Sequence, residues 1–221
     1  MLSAFRIGAC FALLAALLTG CGSGGAQQAV SSPPPDATGP GIPQNPQIDP
    51  KPLALQLGDL GDPKWQAAKG SRYLSRRLLE AQDPQWLAFL DRHGRQLSYR
   101  VIYERQSRIA QCVVGAYGSL ADAKAVEAEV IPFTLAARSA GQLGTVRLID
   151  RLGPEGGHAA QYESTTKAGV KRQTAIASWR RGVLVSSCVE AMKVAAPASI
   201  RRAVAIASAQ DARIVSDLPR S

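Results

Sequence analysis

Cys21 is the residue whose neighbours specify a reaction. It closes the run Leu18-Thr19-Gly20-Cys21 at the end of an apolar N-terminal stretch. Small residues before a cysteine in that place read as a lipobox. Cleavage after Gly20 by signal peptidase II would leave Cys21 as a lipid-modified first residue. Arg6 is the only charge before it, and Ile7 to Leu18 supply the apolar core of a targeting segment. That core is shorter than the roughly 20 apolar residues a membrane-spanning helix needs. Each buried CH₂ of an acyl chain contributes about 0.8 kcal/mol, so the several chains on one cysteine make a stable anchor. The expected location is the extracytoplasmic face of a cell membrane, held by lipid. Gly22 follows Cys21, where an aspartate would signal inner-membrane retention in many Gram-negative bacteria.

The remaining cysteines follow from that address. Cys10 leaves with the signal, which puts Cys112 and Cys188 in an oxidising compartment as an even pair. Such a pair reads as one disulfide, with two buried free thiols as the alternative. Closing a loop of that length is worth roughly 4 kcal/mol in the chain-entropy model. No Cys-x-x-Cys spacing or histidine cluster suggests a metal site.

Catalytic patterns are sparse. The two histidines, His93 and His158, are far apart in sequence. His93 falls at an expected helix end, where an imidazolium suits the dipole. His158 follows two glycines at a strand start. Glu127 and Glu129 are two apart and so do not share a helix face. There is no Gly-x-Ser-x-Gly elbow, His-Glu-x-x-His pair or Walker loop. Gly22-Ser23-Gly24-Gly25 lacks the flanking strand and helix of a phosphate loop. No catalytic residue and no cofactor are expected.

The chain has 221 residues and a formal charge of +9. Residues 51–221 hold 25 basic and 15 acidic residues, a net +10 dominated by arginine. A basic exported domain suits anionic lipid headgroups or acidic envelope polymers, or else the arginines are simply solvated. Nucleic acid is not an expected partner, since the domain lies outside the cytoplasm and has no stacking pattern of aromatics.

The elements must then hold these residues. Residues 1–20 are signal. Residues 21–50 are a tether rich in glycine, serine and proline, which cannot bury a core. Residues 51–221 make one domain. Asp83-Pro84 opens a helix that Gly94 ends. Leu97 to Glu104 and Ile109 to Tyr117 pair as a hairpin. Ser119, with Asp122 three residues on, caps a helix whose apolar stripe is Leu120, Ala123, Val126, Val130 and Phe133. Pro132 should kink or restart it, and Gly141 should stop it. Strands are expected at Thr145 to Leu152, His158 to Thr166, Lys171 to Arg181 and Val183 to Met192. An Ala-rich helix follows from Pro197. Short turns make the strands antiparallel. The fold class is α+β, a twisted antiparallel sheet of about six strands with helices packed mainly on one face.

The lipobox, the Pro-rich tether, Leu57-Gly58-Asp59-Leu60 leading to Trp65, and one cysteine pair in a strand-rich domain resemble actinobacterial lipoproteins of unassigned function. More distantly the pattern is similar to extracytoplasmic sensor domains of mycobacterial kinases and to Mog1/PsbP-like lipoproteins. The resemblance implies a ligand-sensing or scaffolding role, with a protein partner in the scaffolding case.

Three functions stay open: a non-catalytic binding or sensing domain, a carrier of a lipid or other apolar ligand, and an envelope-acting hydrolase. Trp65, Trp86 and Trp179 read as core residues, with an aromatic-lined cleft as the alternative. The sequence does not assign ligand-binding residues.

Overall fold

The computed structural model describes residues 48–138, 146–165, 171–192 and 198–218. The signal segment, Cys21 and the tether up to residue 47 lie outside these, as do Gly141 and the turn at Lys167-Ala168-Gly169.

The described chain begins inside the fold. Ile48 packs on the core, and Asp49 caps the short helix α1 (Pro50–Leu53) through the Lys51 N–H at 2.9 Å. Ile48 to Pro50, which the composition assigns to the tether, therefore belong to the folded unit. A 3₁₀ turn at Leu57–Leu60 follows, then the two-residue strands β1 (Gln66–Ala67) and β2 (Arg72–Tyr73). Helices α2 (Arg76–Gln82) and α3 (Pro84–Arg92) lead into the hairpin β3 (Arg95–Arg105) and β4 (Arg108–Tyr117). Helix α4 (Leu120–Arg138) precedes β5 (Arg147–Ile149), β6 (Gly157–Thr165), β7 (Lys171–Arg181) and β8 (Leu184–Met192), and α5 (Ile200–Asp217) ends the fold.

The caps explain where the helices start. Asp83 accepts hydrogen bonds from the N–H groups of Gln85 and Trp86 at 3.0 and 2.9 Å, and Pro84 occupies the first helical position of α3. Ser119 accepts from the Asp122 N–H at 3.1 Å and donates its hydroxyl to the Asp122 carboxylate at 2.6 Å. Pro132 sits within α4 rather than restarting it.

All eight strands join one antiparallel sheet, ordered β1-β3-β4-β8-β7-β6-β5 with β2 also on β3. The six expected strands are all present, and β1 and β2 add a short edge. The helices cover both faces, where the sequence placed them mainly on one. On the first face α5 and the segment 53–55 pack on Ala110, Cys112, Val114 and Ala177. On the second, α2, α3 and α4 pack around Tyr117, Ile176 and Val185. The reason lies in β4: its run of small and β-branched residues is apolar on both sides, as a strand buried on both faces requires.

Two buried contacts fasten the first face. The Gln210 side chain accepts from the Leu55 N–H at 2.6 Å and donates to the Leu53 carbonyl at 2.5 Å. The Tyr103 hydroxyl donates to the Leu55 carbonyl at 2.7 Å. Burial and the nearby Asp59 push that phenol up to about 12.

Candidate binding cleft

On the second face the helices do not close over the sheet. Helix α4 lies across β6, β7 and β8 and touches β4, while α3 stands beside β3 and α2 packs on α3. Between them, over β4 and β8, opens a cleft of about 180 Å³. Trp86 of α3 stacks on Phe133 of α4 at 4.4 Å, and on Phe89 at 5.1 Å, forming an aromatic bridge beside it. The Asp83 cap fixes where α3 starts and so where Trp86 stands.

Burial along β4 and β8 measures the opening. Val114 and Cys188, facing α5, are 0% exposed. Their neighbours Val113 and Val189, facing the other way from the same central strands, are only half-buried. Both valines touch the edge of the second-face core, yet the helices above leave them partly open. Gly115 helps keep the floor open. A Cβ there would lie 3.1 Å from the Ser98 hydroxyl oxygen and 3.2 Å from the Tyr117 ring.

The lining is more apolar than polar, with Gln82, Ser98, Gln111, Thr134, Ser186 and Ser187 as neutral polar groups. Tyr117 lines it as a buried phenol, and burial holds its ionisation far above the ordinary tyrosine range. Its one carboxylate among the described residues, Asp83, uses an oxygen to cap α3. Among the described residues its one cation is Arg100, whose guanidinium donates to the Gly70 carbonyl from Nε and Nη2 at 3.2 and 3.1 Å. Burial, reinforced by the neighbouring Arg72 charge, lowers the Arg100 pKa. Apolar walls with a few fixed polar groups can bind and orient a small molecule.

Other residues singled out in the sequence stand elsewhere. Cys112 and Cys188 are joined by a 2.03 Å S–S bond on the opposite face. Trp179 is fully buried there and donates its indole N–H to Asp211 at 2.9 Å. Trp65 is buried under the Arg108 guanidinium, 5.2 Å from its ring. Of the three tryptophans, Trp86 alone lines the cleft. His158 pairs with Glu127 at 2.9 Å, His93 lies 3.5 Å from Asp122, and Glu129 is exposed. Among the described residues no three His, Cys, Asp or Glu side chains gather as a metal site would need, and no helix is long and apolar enough to cross a membrane.

Several arginines of the basic domain are paired with carboxylates. Arg76 meets Asp91, Arg108 and Arg202 meet Glu190, Arg181 meets Asp211 and Arg213 meets Asp59. Arg105–Asp62 and Arg180–Glu155 are further pairs.

No family model matches the chain, and no curated protein matches it. Among solved structures it is similar to the extracellular domain of PknH from Mycobacterium tuberculosis. That similarity is weak, with 12% identity and a TM-score of 0.42, over 76% of this chain and 95% of that chain.

Proposed function

We propose that this chain is a non-catalytic binding or sensing domain, tethered through lipid on Cys21 to the extracytoplasmic face of a membrane. Its binding site is the cleft over β4 and β8. The half-burial of Val113 and Val189 on the central strands of the sheet carries this reading. The lipobox and Pro-rich tether support the anchoring. The sequence carries no catalytic motif, and among the described residues the cleft presents a single, capping carboxylate.

The size of the cleft ranks the alternatives. A volume of about 180 Å³ is close to that of an engineered core cavity that binds benzene. It suits a small molecule rather than the chains of a membrane lipid, which places a lipid carrier second. The pairing of several arginines with carboxylates ties up part of the positive charge that acidic envelope polymers would meet.

Ligand-observed NMR on the full chain in nanodiscs, using a library of molecules of up to about ten heavy atoms, tests the cleft. Binding should be lost in Val113→Phe, which places a ring on the cleft floor, while the melting temperature holds. Binding that survives in Val113→Phe, or no binding by any member, would refute the proposal.

A further inference from the structure

We infer that the cleft selects a small amphipathic anion: a monocarboxylate whose head sits on Arg100 and whose apolar body lies over Val113 and Val189. This rests on the cleft being the binding site.

Arg100 is 6% exposed, so its charge has been taken largely out of water. A buried charge is costly unless a counter-charge and hydrogen bonds compensate it. Arg108, Arg181, Arg202 and Arg213 each have a carboxylate. Arg100 has none within ion-pair distance among the described residues, and its one protein acceptor is the Gly70 carbonyl. Arg72 is directly opposite Arg100 in the β2–β3 pairing and adds positive potential there.

The hydrogen-bond pattern on Arg100 sets the geometry of the missing partner. A guanidinium carries five N–H donors in a planar fork. The Gly70 carbonyl occupies the Nε edge, bonded by Nε and one N–H of Nη2. The outer edge remains, with parallel N–H groups on Nη1 and Nη2. A carboxylate accepts such a pair with both oxygens, and a hydroxyl cannot.

The rest of the lining sets the body of the ligand. Leu79, Trp86, Val130 and Ile176 surround the floor valines, so the space beyond the cation rewards apolar atoms. A volume of about 180 Å³ limits the enclosed part to about ten heavy atoms. Hexanoate satisfies both demands, and hexanol satisfies only the second.

The experiment measures hexanoate, hexanol and inorganic phosphate binding to the full chain in nanodiscs, with empty nanodiscs subtracted. Wild type should bind hexanoate at least about tenfold more tightly than hexanol, the scale of a charge-assisted hydrogen bond. Arg100→Met should make the two equal. Arg72→Gln, at an exposed position, should weaken hexanoate and leave hexanol unchanged, which preserves the test if Arg100→Met misfolds. Hexanol binding as tightly as hexanoate would overturn the anion assignment while leaving the cleft reading intact. Phosphate displacing hexanoate at equal affinity would overturn the amphipathic assignment. Failure of both organic ligands to bind wild type would overturn this inference, while library members that still bind in the cleft would keep the broader reading.

Discussion

Val113 and Ser187 are directly opposed on β4 and β8, and both line the cleft. One residue along, Cys112 and Cys188 are opposed on the other face, their Cα atoms 4.1 Å apart and their sulfurs bonded. The disulfide therefore pins together the two strands that make the floor, across a sequence separation of 76.

Removing that bond should be felt as lost stability. Losing a native disulfide from a small exported domain costs about 2–5 kcal/mol. Thermal melts of the Cys112→Ala/Cys188→Ala chain should fall by about 5–15 °C for a domain of this size. An unchanged melt would show that the β4–β8 ladder needs no cross-link.

Acid should loosen the clasp between the N-terminal segment and α5. Asp59 accepts from Arg213 Nε and Nη2 at 3.0 and 2.6 Å and from the Gln56 N–H at 2.7 Å. Burial alone would raise its pKa, but the Arg213 and Gln56 hydrogen bonds outweigh burial and lower it. A carboxyl with a depressed folded pKa stabilises above its unfolded value of about 4, and that stability is lost as pH falls through the folded one. The melting temperature should drop between about pH 5 and about pH 3, and Asp59→Asn should flatten that limb while starting lower at neutral pH. Parallel limbs for the two proteins would remove Asp59 as the cause.

Gly157→Ala should destabilise the β6–β7 pairing. A Cβ at Gly157 would lie 2.7 Å from the Ser178 carbonyl oxygen and 2.9 Å from the Trp179 Cβ. Both are packed and cannot yield, so a loss of about 1–3 kcal/mol is expected in denaturant titrations. A neutral substitution would mean that β6 shifts freely.

Cys21→Ala should either release the chain from membranes or leave the precursor unprocessed. Fractionation with acyl-chain labelling reads both results. Unchanged, lipid-labelled membrane protein would disprove lipidation at Cys21.

Local signals carried much of this fold. Asp83-Pro84 and Ser119 with Asp122 mark helix starts by side-chain chemistry, and α3 and α4 begin there. Ser75 also caps a helix, accepting from the Leu78 N–H at 3.2 Å, but α2 is only seven residues long and its periodicity is slight. The segment 48–60 has no periodic pattern at all. Its place is set by distant partners, Gln210 and Arg213 on α5.

The cleft was harder to read. Trp86 was recognisable as an aromatic that lines either a core or a pocket. Arg100, by contrast, looked like one arginine among many, because sequence does not show which of them meet carboxylates. The usable clue was its alternation with Ser98 on a strand whose other face, Leu97, Val101 and Tyr103, is buried.

The most direct test is a methyl spectrum of the valine-labelled full chain in nanodiscs, titrated with the small-molecule library. A ligand in the cleft should shift the Val113 and Val189 methyls together and leave Val114, on the opposite face, in place. Saturable shifts confined to other surfaces, or none at Val113 and Val189 with any member, would contradict the account.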